Sequence, residues 1–188
     1  MDAHDDNIKF AGDYNLPSIH IHSHNNTGFT SDEDGVNIQS LVSEMNIYEG
    51  INKNSVVGTL VIADSINLIG NLPIQGTERL SFKLSTPGAH EFGHIVDCSI
   101  RTGHPMHIYK LTSKQQVNEG TQTYVLHFCS REFLRNIRTK VSESFTGTMD
   151  QMVTKILGDE NYLDSRRTLF YQKTRNQDKI TIPNLRPF

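Results

Sequence analysis

Two groups of histidine in this chain have the residue types and spacing to do chemistry. The first is His90-Glu91-Phe92-Gly93-His94, a His-Glu-x-x-His pattern. On a helix that spacing puts both imidazoles on one face, one turn apart, where they can share a zinc ion. Glu91 then lies beside them as general base for the metal-bound water. The segment does not read as a helix, however. Pro87-Gly88 precede it, Gly93 interrupts it, and Ile95-Val96 lead into alternating strand. Along a strand rising about 3.3 Å per residue, His90 and His94 stand about 13 Å apart, too far to share one metal. The longer metzincin pattern also fails, because Asp97 stands where its glycine belongs and Ile100 where its third histidine belongs. A gluzincin-type site would have to recruit a distant acid such as Glu119 or Glu132. A small zinc metallopeptidase using His90, Glu91 and His94 is therefore the alternative reading. The expectation is no enzyme, with no catalytic, cofactor-binding or metal-ligating residue and no bound cofactor.

The second group is His20-Ile21-His22-Ser23-His24. In an extended chain its three imidazoles lie on one face at a spacing that suits zinc or nickel. The surrounding residues are mostly Asp, Asn, His, Ser, Gly and Thr, which supply no second shell, so no resident metal is expected here. Cys98 and Cys129 both lie in apolar, strand-like segments. Two cysteines do not make a disulfide framework, and they read as reduced, buried thiols of a chain made in a cytoplasm. Neither a G-x-S-x-G elbow nor a G-x-x-x-x-G-K-[ST] loop is present.

These residues are carried by 188 residues, 36% of them hydrophobic, enough for one ordinary domain, or one plus part of a second, and for a core without staples. A net charge of −3 gives no general attraction to nucleic acid or to an anionic membrane. The basic segment 131–140 alternates charge with apolar residues and reads as a solvated helix face. No apolar run is long enough to cross a bilayer, and the Met-Asp-Ala-His-Asp-Asp start lacks the regions of a secretion signal.

Residues 1–35 have little apolar periodicity and read as a polar, flexible N-terminal arm that orders only against partners. From Ile38 onward the pattern is that of strands. Residues 55–63 form a nearly continuous apolar, β-branched run, expected to be buried on both faces. Residues 77–85 alternate, with Leu80, Phe82 and Leu84 on one face and Arg79, Ser81 and Lys83 on the other. Further strands are expected over 95–100, 106–111 and 121–129, with a polar loop over 112–120. So many short strands predict an antiparallel barrel or sandwich over 36–129. After Ser130 the period changes. Phe133, Leu134, Ile137 and Val141 recur at helical spacing. Thr148 and Gln151 form a capping-box pair ahead of the stripe Met149, Met152, Val153, Ile156 and Leu157, which Gly158 stops. A short strand is expected over 179–182, and the apolar residues near Phe188 suggest that the natural chain continues.

The stretch 37–88 also carries a resemblance. Its apolar strands, polar linker, Ala63-Asp64-Ser65, Asn71-Leu72-Pro73-Ile74 and closing strand Arg79-Leu80-Ser81-Phe82-Lys83-Leu84-Ser85 resemble, in order and spacing, the first tail-tube-like barrel of baseplate hub proteins of contractile-tailed, T-even-like bacteriophages (myoviruses). Met106-His107-Ile108-Tyr109-Lys110-Leu111 and Gln122-Thr123-Tyr124-Val125-Leu126-His127-Phe128 are similar to the family's final barrel strands. Ser130-Arg131-Glu132-Phe133-Leu134-Arg135-Asn136 and residues 141–157 are similar to the helical segment after them, and Ile182-Pro183-Asn184 with Pro187-Phe188 to the entry of its next part. The likeness covers residues 36–188, and the His-rich N-terminal arm departs from it.

The resemblance implies a mainly β protein with α (α+β), an antiparallel tail-tube-like β-barrel over 36–129 followed by a helical segment over 130–188 that opens the next domain. It implies a structural virion protein of the tail baseplate, assembled in the host cytoplasm. The homotrimeric hub ring would join the tail tube protein to the central spike protein and touch other baseplate proteins. DNA would pass through the bore without specific binding, and no membrane is involved.

Overall fold

The computed structural model describes residues 14–23, 35–87, 95–101 and 104–186. Most of them lie in antiparallel β-sheet, with a few helices between the strands. They fall into two compact units. The first draws on the chain up to Ile47 and on Gly58–Phe128, and the second on Tyr48–Val57 and the chain from Cys129.

The first unit is built on one sheet. Its strands are β1 (Ile19–His22), β2 (Val36–Asn37), β3 (Val42–Tyr48), β4 (Val57–Asp64), β5 (Arg79–Ser85), β6 (Ile95–Asp97), β7 (Met106–Asn118) and β8 (Thr121–Cys129). The order across the sheet is β2-β1-β5-β7-β8-β4-β3, with β6 beside the second half of β5. The register places Ile19 opposite Phe82, His20 opposite Ser81 and His22 opposite Arg79. Beyond them Lys83 is opposite Asp97, and Arg79 is opposite His107. The alternation of each strand sends one set of side chains inward. Ile19, Ile21, Leu60, Ile62, Leu80, Met106, Ile108, Leu126 and Phe128 are fully or almost fully buried. Phe82 and Phe128 meet edge to face with ring centroids 6.1 Å apart, an arrangement the ring quadrupoles favour.

Three features of this sheet differ from the expectation. Ile19–His22 is an internal strand, hydrogen-bonded to β2 on one side and β5 on the other. The pattern Ile-His-Ile-His is too short to stand out from its polar surroundings, yet two buried isoleucines suffice to pin a strand whose neighbours already exist. The run 55–63 is buried on one face only. In β4, Leu60 and Ile62 are buried while Val57, Thr59, Val61 and Ala63 are half-buried. The expected loop over 112–120 is strand as far as Asn118. It is held by pairing with β8 despite its polar, exposed side chains, and the hairpin turns at Glu119-Gly120.

A short helix, α1 (Leu68–Asn71), follows β4 and drops Leu68 and Leu72 into the core.

The second unit holds α2 (Arg131–Arg138), β9 (Val141–Thr148), α3 (Met149–Gly158) and β10 (Gln177–Arg186). The helical spacing that begins at Phe133 ends with α2. Val141 belongs to β9, where it and Phe145 are buried and the residues between them exposed. Spacings of four residues suit either a helix or a strand with two turned-out pairs, and the partner strand β10 decides for the strand. Residues 130–186 thus hold two helices alternating with the strands of a two-stranded sheet, and the short strand expected over 179–182 lies within β10. At α3 the Thr148–Gln151 capping box is formed, with the Thr148 amide donating to Gln151 Oε1 at 3.2 Å. Met152 packs with Val141 and Phe145, and Ile156, Tyr162 and Ile182 close that core.

Candidate functional site

The His-Glu-x-x-His residues His90, Glu91 and His94 lie outside the described residues, as does His24. Of their possible third partners, Glu119 is exposed in the β7–β8 turn. Glu132 is buried in the second unit at the start of α2. Its carboxylate accepts from Ser165 Oγ at 2.7 Å and lies 3.8 Å from Arg167 Nε. Burial pushes its pKa up, but the hydrogen bonds from Ser165 and Ser130 and the Arg167 charge outweigh it and hold the carboxyl below its ordinary value. Glu132 is thus an ionised anchor for the loop that carries Ser165 and Arg167. Its stabilising effect is complete above the ordinary glutamate pKa and is lost as pH falls from there through the lowered native value. Glu132→Ala is expected to destabilise the second unit by about 1–3 kcal/mol, read as a lowered urea midpoint by circular dichroism.

Ser130 precedes α2, but its hydroxyl does not cap that helix. It accepts instead from the Val56 amide at 3.2 Å. Beside it a broad cavity of about 640 Å³ is lined by Ser130, Glu132, Ser165, Arg167, Lys53 and Leu169.

His20 and His22 are brought together with other polar groups. Both project from β1 to the face opposite Ile19 and Ile21, with their rings 6.3 Å apart. Ser81 and Lys83 of β5 stand on the same face, and Asp97 of β6 continues it. His22 Nε2 is 2.7 Å from Ser81 Oγ, a hydroxyl that is itself buried. Lys83 Nζ is 3.1 Å from Asp97 Oδ2, and Asp97 Oδ1 accepts from the Ser99 amide at 2.9 Å. Burial raises the Asp97 pKa, but the Ser99 hydrogen bonds and Lys83 prevail and hold it below the ordinary aspartate value. With Ser18, Ile100 and Arg101 these residues line a cleft of about 670 Å³ in the first unit. Sequence spacing placed the two histidines on one face. It could not reveal Ser81, Lys83, Asp97 and Arg101, which arrive from other strands and a turn. Two imidazoles beside Lys83 and Arg101 make a poor cation site, since like charge opposes a metal ion. Among the described residues no group of three His, Cys, Asp or Glu side chains converges to hold a metal ion.

The remaining chemically capable groups serve the fold. Cys98 and Cys129 are buried thiols that form no disulfide. Burial, helped by the nearby Glu132 charge, pushes the Cys129 thiol up to about 12, which leaves it protonated and unreactive at neutral pH. His127 Nε2 lies 2.8 Å from Thr112 Oγ1 across the β7–β8 hairpin. Burial, with help from the Lys110 charge, lowers the His127 pKa.

Comparison with family models, curated proteins and solved structures gives no match to this chain.

Proposed function

We propose that this chain is a structural protein of a contractile phage tail baseplate, a hub subunit whose sheet closes into a tail-tube-like barrel and whose trimers form a ring between tail tube protein and central spike protein. The observation that carries this reading is the outward face of the central strands β4 and β8. Val57, Thr59, Val61 and Ala63 on one strand and Thr123 and Val125 on the other present apolar and threonine side chains where a solvated sheet carries charge. All of them keep partial exposure. The strand order ends on β2 and β3, the two edges that the proposed barrel closure brings together. The sequence resemblance to baseplate hubs supplies the identity of the assembly. In such a ring DNA crosses the bore without base contacts, and the protein's output is assembly rather than catalysis.

Light scattering coupled to size exclusion tests this directly. The expected result is a species of three times the 21.3 kDa chain mass, with each interface burying more than about 1,000 Å². Val61→Lys, on the outward face of β4, is expected to convert trimer to monomer while leaving the circular dichroism spectrum unchanged. A wild-type chain that stays monomeric at high concentration, and does not assemble when tail tube and spike proteins are added, overturns the proposal.

A further inference from the structure

We propose that the cleft on the outward face of β1, β5 and β6 binds an oxyanion of the phosphate class carried on a small organic body. The inference is independent of the assembly reading above. Lys83 and Arg101 bring two fixed positive charges, and Asp97 is the single carboxylate among the described residues that line the cleft. With both imidazoles neutral the described lining is therefore net positive by one, in a chain whose overall charge is −3. Asp97 is also committed. One oxygen holds the Ser99 amide and the other holds Lys83 Nζ, so it fixes the ammonium in place and leaves its remaining N–H groups to donate elsewhere. Arg101 is exposed at the mouth of the cleft. Its planar fork suits two oxygens of one phosphate.

Around these cations stand donors suited to a tetrahedral oxyanion. Ser18 and Ser81 bring hydroxyls to the cleft, and His20 brings a ring nitrogen; the Ser99 hydroxyl is engaged by Asp97. Ser81 is only 7% exposed, and His22 orients its hydroxyl. By register Arg79 shares this face opposite His22 and adds a third cation nearby. The volume of about 670 Å³ lies within the roughly 300–1,000 Å³ of small-molecule sites and exceeds what a bare ion needs. Ile100 supplies an apolar border. A sugar monophosphate has this combination of a dianionic head and a compact body.

The test is isothermal titration of the full chain with inorganic phosphate and then ribose 5-phosphate, against chloride at matched ionic strength. Saturable binding is expected, with a Kd of about 1 mM for inorganic phosphate and about tenfold tighter binding for ribose 5-phosphate. Lys83→Ala and Arg101→Ala should each weaken ribose 5-phosphate by about tenfold, as loss of a charge-assisted hydrogen bond predicts. Lys110→Ala, an exposed cation of β7 that does not line the cleft, should leave it unchanged. Arg101 sits on a turn, so its variant reports on binding even if Lys83→Ala perturbs the sheet. Heat no greater than that of chloride, or binding that survives in the Arg101→Ala variant undiminished, overturns the site. Ribose 5-phosphate that binds no tighter than inorganic phosphate overturns the organic body.

Discussion

Gly58→Ala is expected to cost the first unit about 3 kcal/mol or more, the upper end for overpacking a rigid site. Gly58 lies inside β4, where a side chain would point into the core. A Cβ built there falls on the Phe128 ring and on the Asn46 carbonyl oxygen. The oxygen belongs to the backbone of the neighbouring strand β3 and cannot swing away as a side-chain end can. Glycine in a strand interior costs roughly 0.5–1 kcal/mol relative to alanine, so this position keeps it for space, not for turning. The measurement is the urea midpoint followed by far-ultraviolet circular dichroism. Phe128→Leu in the Gly58→Ala background should recover part of the loss, because it relieves one of the two clashes and leaves the other. Gly120→Ala, with open space around its Cβ position, should change the midpoint little. A Gly58→Ala protein as stable as wild type would mean that β3 and β4 do not pair as described.

The second large effect is expected at Asp64, which ends β4 and is almost fully buried. Its Oδ1 accepts the Leu68 amide at 2.9 Å and the Ile66 amide at 3.1 Å, which satisfies the start of α1. Its Oδ2 accepts from Gln122 Nε2 at 3.0 Å and from the Tyr124 hydroxyl at 3.3 Å. Asp64→Ala strands several of these donors in a buried place and is expected to cost about 2–4 kcal/mol. Asp64→Asn keeps the size and one acceptor oxygen and should cost less. Burial alone raises the Asp64 pKa, but the hydrogen bonds from Leu68, Gln122 and Ile66 outweigh it and the carboxyl titrates below its ordinary value. The sign follows. The native state holds the proton less tightly than the unfolded chain, so the contribution is complete above the ordinary aspartate pKa and is lost as pH falls from there through the lowered native value. Wild type should therefore lose stability below about pH 4 more steeply than Asp64→Asn. Parallel pH dependences for the two proteins would remove Asp64 from this role. Tyr124 has its phenol pushed upward, by burial first and then by the Asp64 charge, and stays a hydrogen-bond donor throughout.

Much of the local structure was legible in the residues. The alternation of Leu80, Phe82 and Leu84 marks β5, and the apolar runs mark β4 and β8. The Thr148–Gln151 pair marks the start of α3. Each is a short-range signal, fixed by the two-residue period of a strand or by the unpaired amides of a first helical turn. The signals fail where the deciding partner is distant. Val141 fits the helical spacing of its neighbours and becomes strand because β10, some forty residues later, supplies its pairing. Residues 112–118 look like a loop and become strand because β8 lies beside them.

The cleft shows the same division. By itself the sequence determined that His20 and His22 share a face, since any extended chain does that. It also determined that two buried cysteines are no disulfide framework, and that the chain is a mostly antiparallel β protein with short helices. Only the tertiary structure decided that Ile19–His22 is an internal strand. It alone decided that the partners of those histidines are Ser81, Lys83 and Asp97, and that Asp64 is spent on capping α1. The physical reason is that period and propensity act over a few residues, whereas burial of Ile19 and Ile21 and the register of β1 against β5 depend on residues some sixty positions apart.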